Sequence, residues 1–342
     1  MTLYDKSKEI ILNNQHENGA YIASPMFSQY GFSWLRDGAF IAFGMTKADE
    51  FYSAEKFFRW VEKVINRYET RIVEILEKPD EEISIKDFLP TRYTLDGYMN
   101  QDNWENAQSD GYGIYLWALG ELVKKNGFDF DRKAVKLISD YLTKVWNKPC
   151  YDAWEEECNA IHTSTLFAIA AGLKSAEYLL GENTPWQEIL NKVEKDFVKD
   201  GRFVKSTMNS EVDSNLIWAC TPYELYTHDH PVMKKTADKI IKDLYFEGGV
   251  KRYSTDTYFG GGSWILLSAS LANYFNLSGN DSEFVKIKVW IESHANLKFE
   301  LPEQIPEHLI DIPMYQPWVD RWGEIACPLL WSHANYLVML NK

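Results

Sequence analysis

At 342 residues the chain is long enough for one large domain or two average ones, and either can bury a full core. A formal charge of −14 at pH 7 argues against nucleic acid or an anionic membrane as the main partner, because both are bound through clustered Lys and Arg; the expected partner is a small neutral molecule. Aromatic residues make up 15%, with 13 Trp and 20 Tyr, more than a core needs; flat aromatic faces suit sugar rings, although they also suit cores and subunit contacts.

The N-terminal stretch MTLYDKSKEIILNNQHENG has no basic segment followed by an apolar one, and no apolar run approaches the roughly 18 residues of a membrane span. A cytoplasmic location without a membrane segment is therefore expected. The four cysteines, Cys150, Cys158, Cys220 and Cys327, form no C-x-x-C pair and are expected as reduced thiols.

Helical periodicity accounts for nearly every long segment. In chain order it predicts helices at 4–14, 37–48, 51–75, 110–126, 130–148, 162–181, 185–199, 212–223, 231–245, 263–277, 281–296 and 326–341. Two kinds alternate. Those at 51–75, 130–148, 185–199, 231–245 and 281–296 are amphipathic and Lys-rich, as helices with one wet face are. Those at 37–48, 110–126, 162–181, 212–223, 263–277 and 326–341 are apolar on most sides and rich in small residues, as fully buried helices are. The buried helices recur at about 50 residues through the middle of the chain, which makes a helix pair the repeating unit. An open superhelix is one solution. A closed ring of six hairpins buries the inner helices on all sides and is the predicted fold: an all-α, single-domain (α/α)6 barrel over residues 1–342, with no N-terminal β-sandwich.

Connections from inner to outer helices are short, whereas those from outer to inner, at 15–36, 76–109, 149–161, 200–211, 246–262 and 297–325, are long. In a barrel the long ones share one end, and loops of such length tend to be functional. Polar-aromatic clusters fall there: Phe32, Trp34, Arg36 and Asp37; Trp104, Gln108, Asp110 and Gly111; Trp154, Glu155, Glu156 and Glu157; Arg252 and Tyr253, with Gly260 to Trp264; and Glu303 and Gln304, with Trp318 and Trp322. Taken singly, Asp37 and Asp110 also suit helix N-caps, Glu156 and Glu157 suit a first helical turn, and the glycines suit a turn. Caps and turns do not require Trp or Arg beside them.

The sequence contains no G-x-S-x-G, P-loop or H-E-x-x-H motif, and His228 and His230 lack an obvious third ligand, so neither a metal nor another cofactor is expected. Carboxylates remain. Glycoside hydrolysis uses two, one protonated and one ionised. A Glu beside Trp and other acids has its pKa raised by desolvation and by like charge, and Glu155 fits the acid role.

The motifs Trp34 to Asp37, Trp104-x-x-x-Gln108-x-Asp110-Gly111, Trp154-Glu-Glu156, Arg252-Tyr253 with Gly260-Gly-Gly-Ser-Trp264, and Glu303-Gln304 leading to Leu330-Trp-Ser-His-Ala334 resemble, in order, those of glycoside hydrolase family 15, which includes the glucoamylases, glucodextranases and isomaltose glucohydrolases. The resemblance spans about Phe32 to Leu340. It implies an inverting, exo-acting α-glucoside hydrolase on a six-hairpin barrel, with Glu155 as general acid and Glu303 as general base. It further implies that Arg36 and Asp37 close the pocket around the terminal glucose, that Glu156 contacts the next sugar, and that Trp34, Trp104, Asp110, Trp154, Arg252, Trp264 and Trp318 complete the substrate site. The expected substrates are short oligosaccharides of the maltose or isomaltose series, with β-glucose as product. A trehalase-like hydrolase, a sugar epimerase using His162 and His333, and a non-catalytic sugar-binding protein are the rival readings.

Overall fold

The helices rich in small apolar residues lie side by side. In the computed structural model, which describes residues 2–100, 104 and 107–341, α2 (Leu35–Lys47) packs on α5 (Asp110–Asn126), and α5 on α7 (Thr163–Leu180). The ring continues through a 3₁₀ helix (Ser214–Ala219) and α10 (Ile265–Leu277) to α13 (Leu330–Leu340), which returns to α2. These are the inner helices of an (α/α)6 barrel. The outer layer comprises α1 (Leu3–Asn13), α3 (Phe51–Arg67), α4 (Glu69–Glu77), α6 (Arg132–Val145), α8 (Trp186–Asp196), α9 (Pro231–Leu244) and α11 (Asp281–Ser293); α1 packs on α13, so the first and last helices close the shell. A further helix, α12 (Ile312–Trp322), lies in the last long connection.

Small residues let inner helices touch. A Cβ on Gly113 would come within 2.4 Å of the Ala168 carbonyl oxygen, and one on Gly172 within 2.4 Å of the Gly113 oxygen, so the α5–α7 contact is backbone against backbone. Aromatic side chains fill the axis: Phe40 meets Trp331, Trp218 and Trp117 at centroid distances of 5.1, 5.2 and 6.0 Å.

Short strands stitch the long connections together at one rim. β1 (Ser33–Trp34) pairs with β2 (Arg92–Tyr93), and β3 (Val198–Lys199) with β4 (Arg202–Phe203). A four-stranded sheet joins β5 (Tyr245–Phe246), β6 (Gly249–Val250), β7 (Ser263–Trp264) and β8 (Gln304–Ile305) in that order. β1 and β7 run straight into α2 and α10, which fixes the direction in which Trp34 and Trp264 enter the barrel mouth.

Three elements differ from the sequence expectation. The inner helix predicted at 212–223 is only the 3₁₀ turn Ser214–Ala219, started by the Asp213 carboxylate accepting from the Asn215 N–H; Pro222 offers no N–H to extend it. The predicted 51–75 helix divides at Tyr68, whose ring packs 5.8 Å from Tyr93 and whose hydroxyl accepts from the Met99 N–H, so tertiary contacts override continuous periodicity. α12 lies within the long connection expected at 297–325, with Pro313 in its opening turn, where Pro is tolerated. Among the described residues no helix is long and apolar enough to cross a membrane.

Candidate active site

The rim surrounds a cavity of about 210 Å³ whose wall includes Trp34, Arg36, Asp37, Trp104, Trp154, Glu155, Glu156, Arg252, Trp264, Glu303 and Trp318. Of the residues that the family resemblance assigns to the site, only Asp110 stands off the wall. It lies behind Arg36, whose Nη1 approaches Asp110 Oδ2 at 3.3 Å and donates to Gln108 Oε1 at 2.9 Å. Asp110 thus acts on the cavity through a guanidinium it helps to hold. Neither Asp37 nor Asp110 is an N-cap: they occupy the first turns of α2 and α5.

Glu155 sits at a tight bend in the 149–161 connection, with its backbone in the left-handed region at φ 66°. Asp152 organises that bend: its Oδ1 accepts from the N–H groups of Trp154 and Glu156, each at 2.9 Å, and its carbonyl accepts from the Glu155 N–H. At the tip of the side chain, the Trp34 indole donates to Oε1 at 2.6 Å and the Trp104 indole to Oε2 at 2.7 Å, while Arg36 Nη2 stands 3.8 Å from Oε1. Burial raises the pKa of Glu155 to about 7, against the opposing pull of Arg36 and the two indoles.

Glu303 lies in the last long connection, immediately before β8. Its own N–H donates to the Ala326 carbonyl and its carbonyl accepts from the Ile265 N–H, which ties it to the starts of two inner-helix segments. The Tyr30 hydroxyl donates to Oε1 at 3.1 Å and the Tyr258 hydroxyl to Oε2 at 3.4 Å, and the two hydroxyls are 3.0 Å apart. Burial raises the pKa of Glu303 to about 8, with Tyr30 and Arg252 opposing.

Among the described residues, four on the wall each keep a buried polar atom with no hydrogen-bond partner: Arg36 Nε, Asp37 Oδ2, Trp264 Nε1 and Trp331 Nε1, the first two facing each other at 3.5 Å. Burial lifts Asp37 to about 6, with Arg36 working against it. One acceptor and three donors without a hydrogen-bond partner form a polar end to an otherwise aromatic cavity, suited to a polyhydroxylated ligand. Elsewhere on the wall Glu156 is more open, its side chain 34% exposed, and is held by Arg252 at 3.3 Å and by the Tyr253 hydroxyl at 2.6 Å. Trp318 projects from α12, edge-on to Phe259 at 4.9 Å and to Tyr258 at 5.4 Å. Trp322, one turn on, is 40% exposed.

Two buried carboxyl groups with raised pKa values on one cavity can exchange protons near neutrality, which is the equipment of acid–base hydrolysis. The family model of glycosyl hydrolases family 15 matches residues 3–288. An isomaltose glucohydrolase of Kribbella flavida is 37% identical over 98% of this chain and 91% of its own length. The chain belongs to glycosyl hydrolases family 15. It is a glycoside hydrolase. A glycosidase solved in complex with glucose superposes with a TM-score of 0.92 at 37% identity, covering 98% of this chain and 95% of that one. A bacterial glucoamylase solved with acarbose has the same fold, with a TM-score of 0.77 at 18% identity over 99% of this chain and 55% of that one.

Within this family 15 site, several wall residues carried no sequence signal. Tyr30 lies in the short turn Ser28–Tyr30 and Tyr258 ahead of the triple glycine, where each reads as an ordinary aromatic. Only the fold brings the two tyrosines onto one carboxylate. His162 and His333, the pair an epimerase would need, are absent from the cavity wall. His333 instead accepts from the Leu301 N–H at Nε2 and contacts Ser7 at Nδ1.

Proposed function

We propose that this glycoside hydrolase, an exo-acting α-glucosidase, cleaves short α-gluco-oligosaccharides such as isomaltose with inversion, Glu155 serving as general acid and Glu303 as general base. The observation that carries the reading is one cavity bearing both carboxyl groups beside the buried Arg36 and Asp37, which we read as its closed end. A terminal glucose seated against that end would leave its hydroxyls facing Asp37 and the free indole N–H groups of Trp264 and Trp331. A closed end admits only the tip of a chain, which supports exo cleavage. The kinship with an isomaltose glucohydrolase supports an α-1,6-linked disaccharide as first choice.

In the proposed reaction Glu155 gives its proton to the glycosidic oxygen as the bond from that oxygen to C1 breaks. Glu303 takes a proton from a water that attacks C1 from the opposite face, so the glucose leaves as the β-anomer. Without substrate both carboxyl groups are raised toward neutrality by burial, Glu155 to about 7 and Glu303 to about 8. A bound water donating to Glu303 stabilises its ionised form, and a glycosidic oxygen accepting from Glu155 stabilises its protonated form, so substrate drives the pair to the productive arrangement. Glu156 and Arg252 would hold the departing sugar, with Trp34, Trp104, Trp154 and Trp318 packing against ring faces and Asp110 acting through Arg36.

Residues 1–342 are read as one catalytic unit, supported by the contact of α1 with α13. A cytoplasmic setting is supported by the four free cysteines. The test is to offer isomaltose, maltose and trehalose separately and to follow the glucose anomers by proton NMR in the first minutes. β-Glucose from isomaltose is the expected first signal. Initial α-glucose removes the inverting mechanism, and preference for trehalose moves the assignment to a trehalase.

A further inference from the structure

A lysine outside the cavity is built into the support of the acid loop. Lys205, between β4 and the 3₁₀ helix, has a side chain only 4% exposed and places Nζ 2.5 Å from Asp152 Oδ2 and 3.1 Å from Asp213 Oδ2, two carboxylates each 1% exposed. Each carboxylate also has a duty on the acid side of the cavity. Asp152 uses Oδ1 to hold the N–H groups of Trp154 and Glu156, on either side of Glu155. Asp213 uses the oxygen it shares with Lys205 to accept from the Trp154 indole at 2.8 Å. Lys205 Nζ also lies 4.4 Å from the ring centre of Tyr253, whose hydroxyl donates to Glu156. Every contact of this ammonium group thus leads to the segment Trp154–Glu156.

Physical chemistry says why a cation is required. Two carboxylates this deeply buried and sharing one neighbour cannot both stay ionised without a compensating charge. Burial pushes Asp152 up, but Lys205 with His162 outweighs it and holds the group below the ordinary carboxylate range. Without the ammonium, one of the two carboxyl groups takes a proton, and a hydroxyl replaces an acceptor at the hub of the bend. Glu155, at a positive φ that an unsupported loop would relax, then loses its fixed direction.

We propose that Lys205 is a positioning residue for the proton donor: through Asp152 and Asp213 it holds the backbone around Glu155 and the ring of Trp154, so that Glu155 meets the leaving oxygen. This rests on the reading of Glu155 as general acid. A misplaced acid matters in proportion to how much the leaving group needs a proton. The glucose that leaves isomaltose departs as a 6-alkoxide when its bond to C1 breaks unless it is protonated, whereas α-D-glucosyl fluoride breaks its C1–F bond and releases fluoride without a proton from the enzyme.

The experiment compares K205A with the unaltered enzyme on both substrates, with kcat referred to the folded fraction measured by circular dichroism. The expected result is a loss of about 10²-fold on isomaltose and less than about fivefold on the fluoride, with propylammonium, which replaces the deleted side-chain atoms, restoring the isomaltose rate. Equal losses on the two substrates overturn the proposal, as does a full isomaltose rate. If K205A does not fold, K205R and D152N are read by the same ratio. E155Q separates the two levels: if E155Q also loses both substrates equally, the acid assignment fails; if E155Q discriminates and the Lys205 variants do not, only the role of Lys205 fails.

Discussion

Glu155 and Glu303 are buried glutamates on one cavity, yet they are held in unlike ways. Glu155 accepts from two indole N–H groups and faces a guanidinium, all of which keep their protons throughout the accessible pH range. Glu303 is held by two phenolic hydroxyls that also contact each other and can each donate or accept. Rigid donors suit a group that must hold one direction while it gives up a proton, and reorientable hydroxyls suit one that must receive a water. The largest expected effects test this contrast directly. E155Q and E303Q should each cost about 10² to 10⁴ in kcat on isomaltose. Only E155Q should spare α-D-glucosyl fluoride relative to isomaltose; a matching sparing by E303Q would exchange the two roles.

The next effect is pH dependence. The ordinary glutamate value is 4.5, and burial lifts Glu155 to about 7 and Glu303 to about 8. Between those values the folded protein keeps protons that the unfolded chain has already released, so the stabilising contribution is complete below about pH 4.5 and is lost as pH rises through 7 and 8. E303Q removes one of these groups. Its melting temperature should fall less steeply than that of the unaltered enzyme between pH 5 and 8, with an advantage of about 2 °C or more at the upper end. Parallel melting curves would mean that Glu303 is not raised. For activity, the alkaline limb of kcat/KM should lie near or above neutrality, where an ordinary carboxylate has long since ionised.

What the sequence made legible follows the same division. The helix-pair period and the crowding of Trp, Arg and acid residues into long connections pointed to the barrel and to the rim that bears the cavity, because buried helices and N-terminal rim residues leave local patterns. Trp34, Trp104 and Glu155 were each visible, but not that the two indoles would grip one carboxyl group from separate loops. The tyrosines on Glu303 left no pattern, since Tyr30 and Tyr258 are 228 residues apart in the chain. The buried Lys205 was equally silent, because a lone Lys in a polar loop reads as a solvated surface residue. The 3₁₀ turn at Ser214–Ala219 and helix α12 were missed in opposite senses: apolar periodicity over-predicted the first, and the second fell inside a segment read as one long connection.

Single hydrogen bonds to the carboxyl groups should have intermediate effects. Tyr30→Phe removes a donor to Glu303, which raises that pKa further and moves the acid limb of kcat, which reports the substrate complex, upward. Trp104→Phe removes a donor to Glu155 and should move the alkaline limb upward. A hydrogen bond to a charged group is worth about 1.5–3 kcal/mol, so each should cost on the order of tenfold or more at the pH optimum. Opposite limbs moving in the two variants would support the contrast between the walls, whereas a shift of the same limb in both would dissolve it.

The smallest effect belongs to the cavity mouth. Trp322 lines the cavity but is 40% exposed at the end of α12, where its neighbour Arg321 lies 4.5 Å from its ring centre. A disaccharide seated against Arg36 and Asp37 spends its contacts on the closed end and on Glu156, leaving Trp322 to pack against whatever extends beyond the second sugar. Trp322→Ala should therefore leave kcat on isomaltose within about twofold and raise KM for the trisaccharide isomaltotriose by roughly three- to tenfold, as expected for about 1 kcal/mol of lost aromatic packing. A larger loss on the disaccharide than on the trisaccharide would place Trp322 against the second sugar and shift the whole chain one position outward from the polar end.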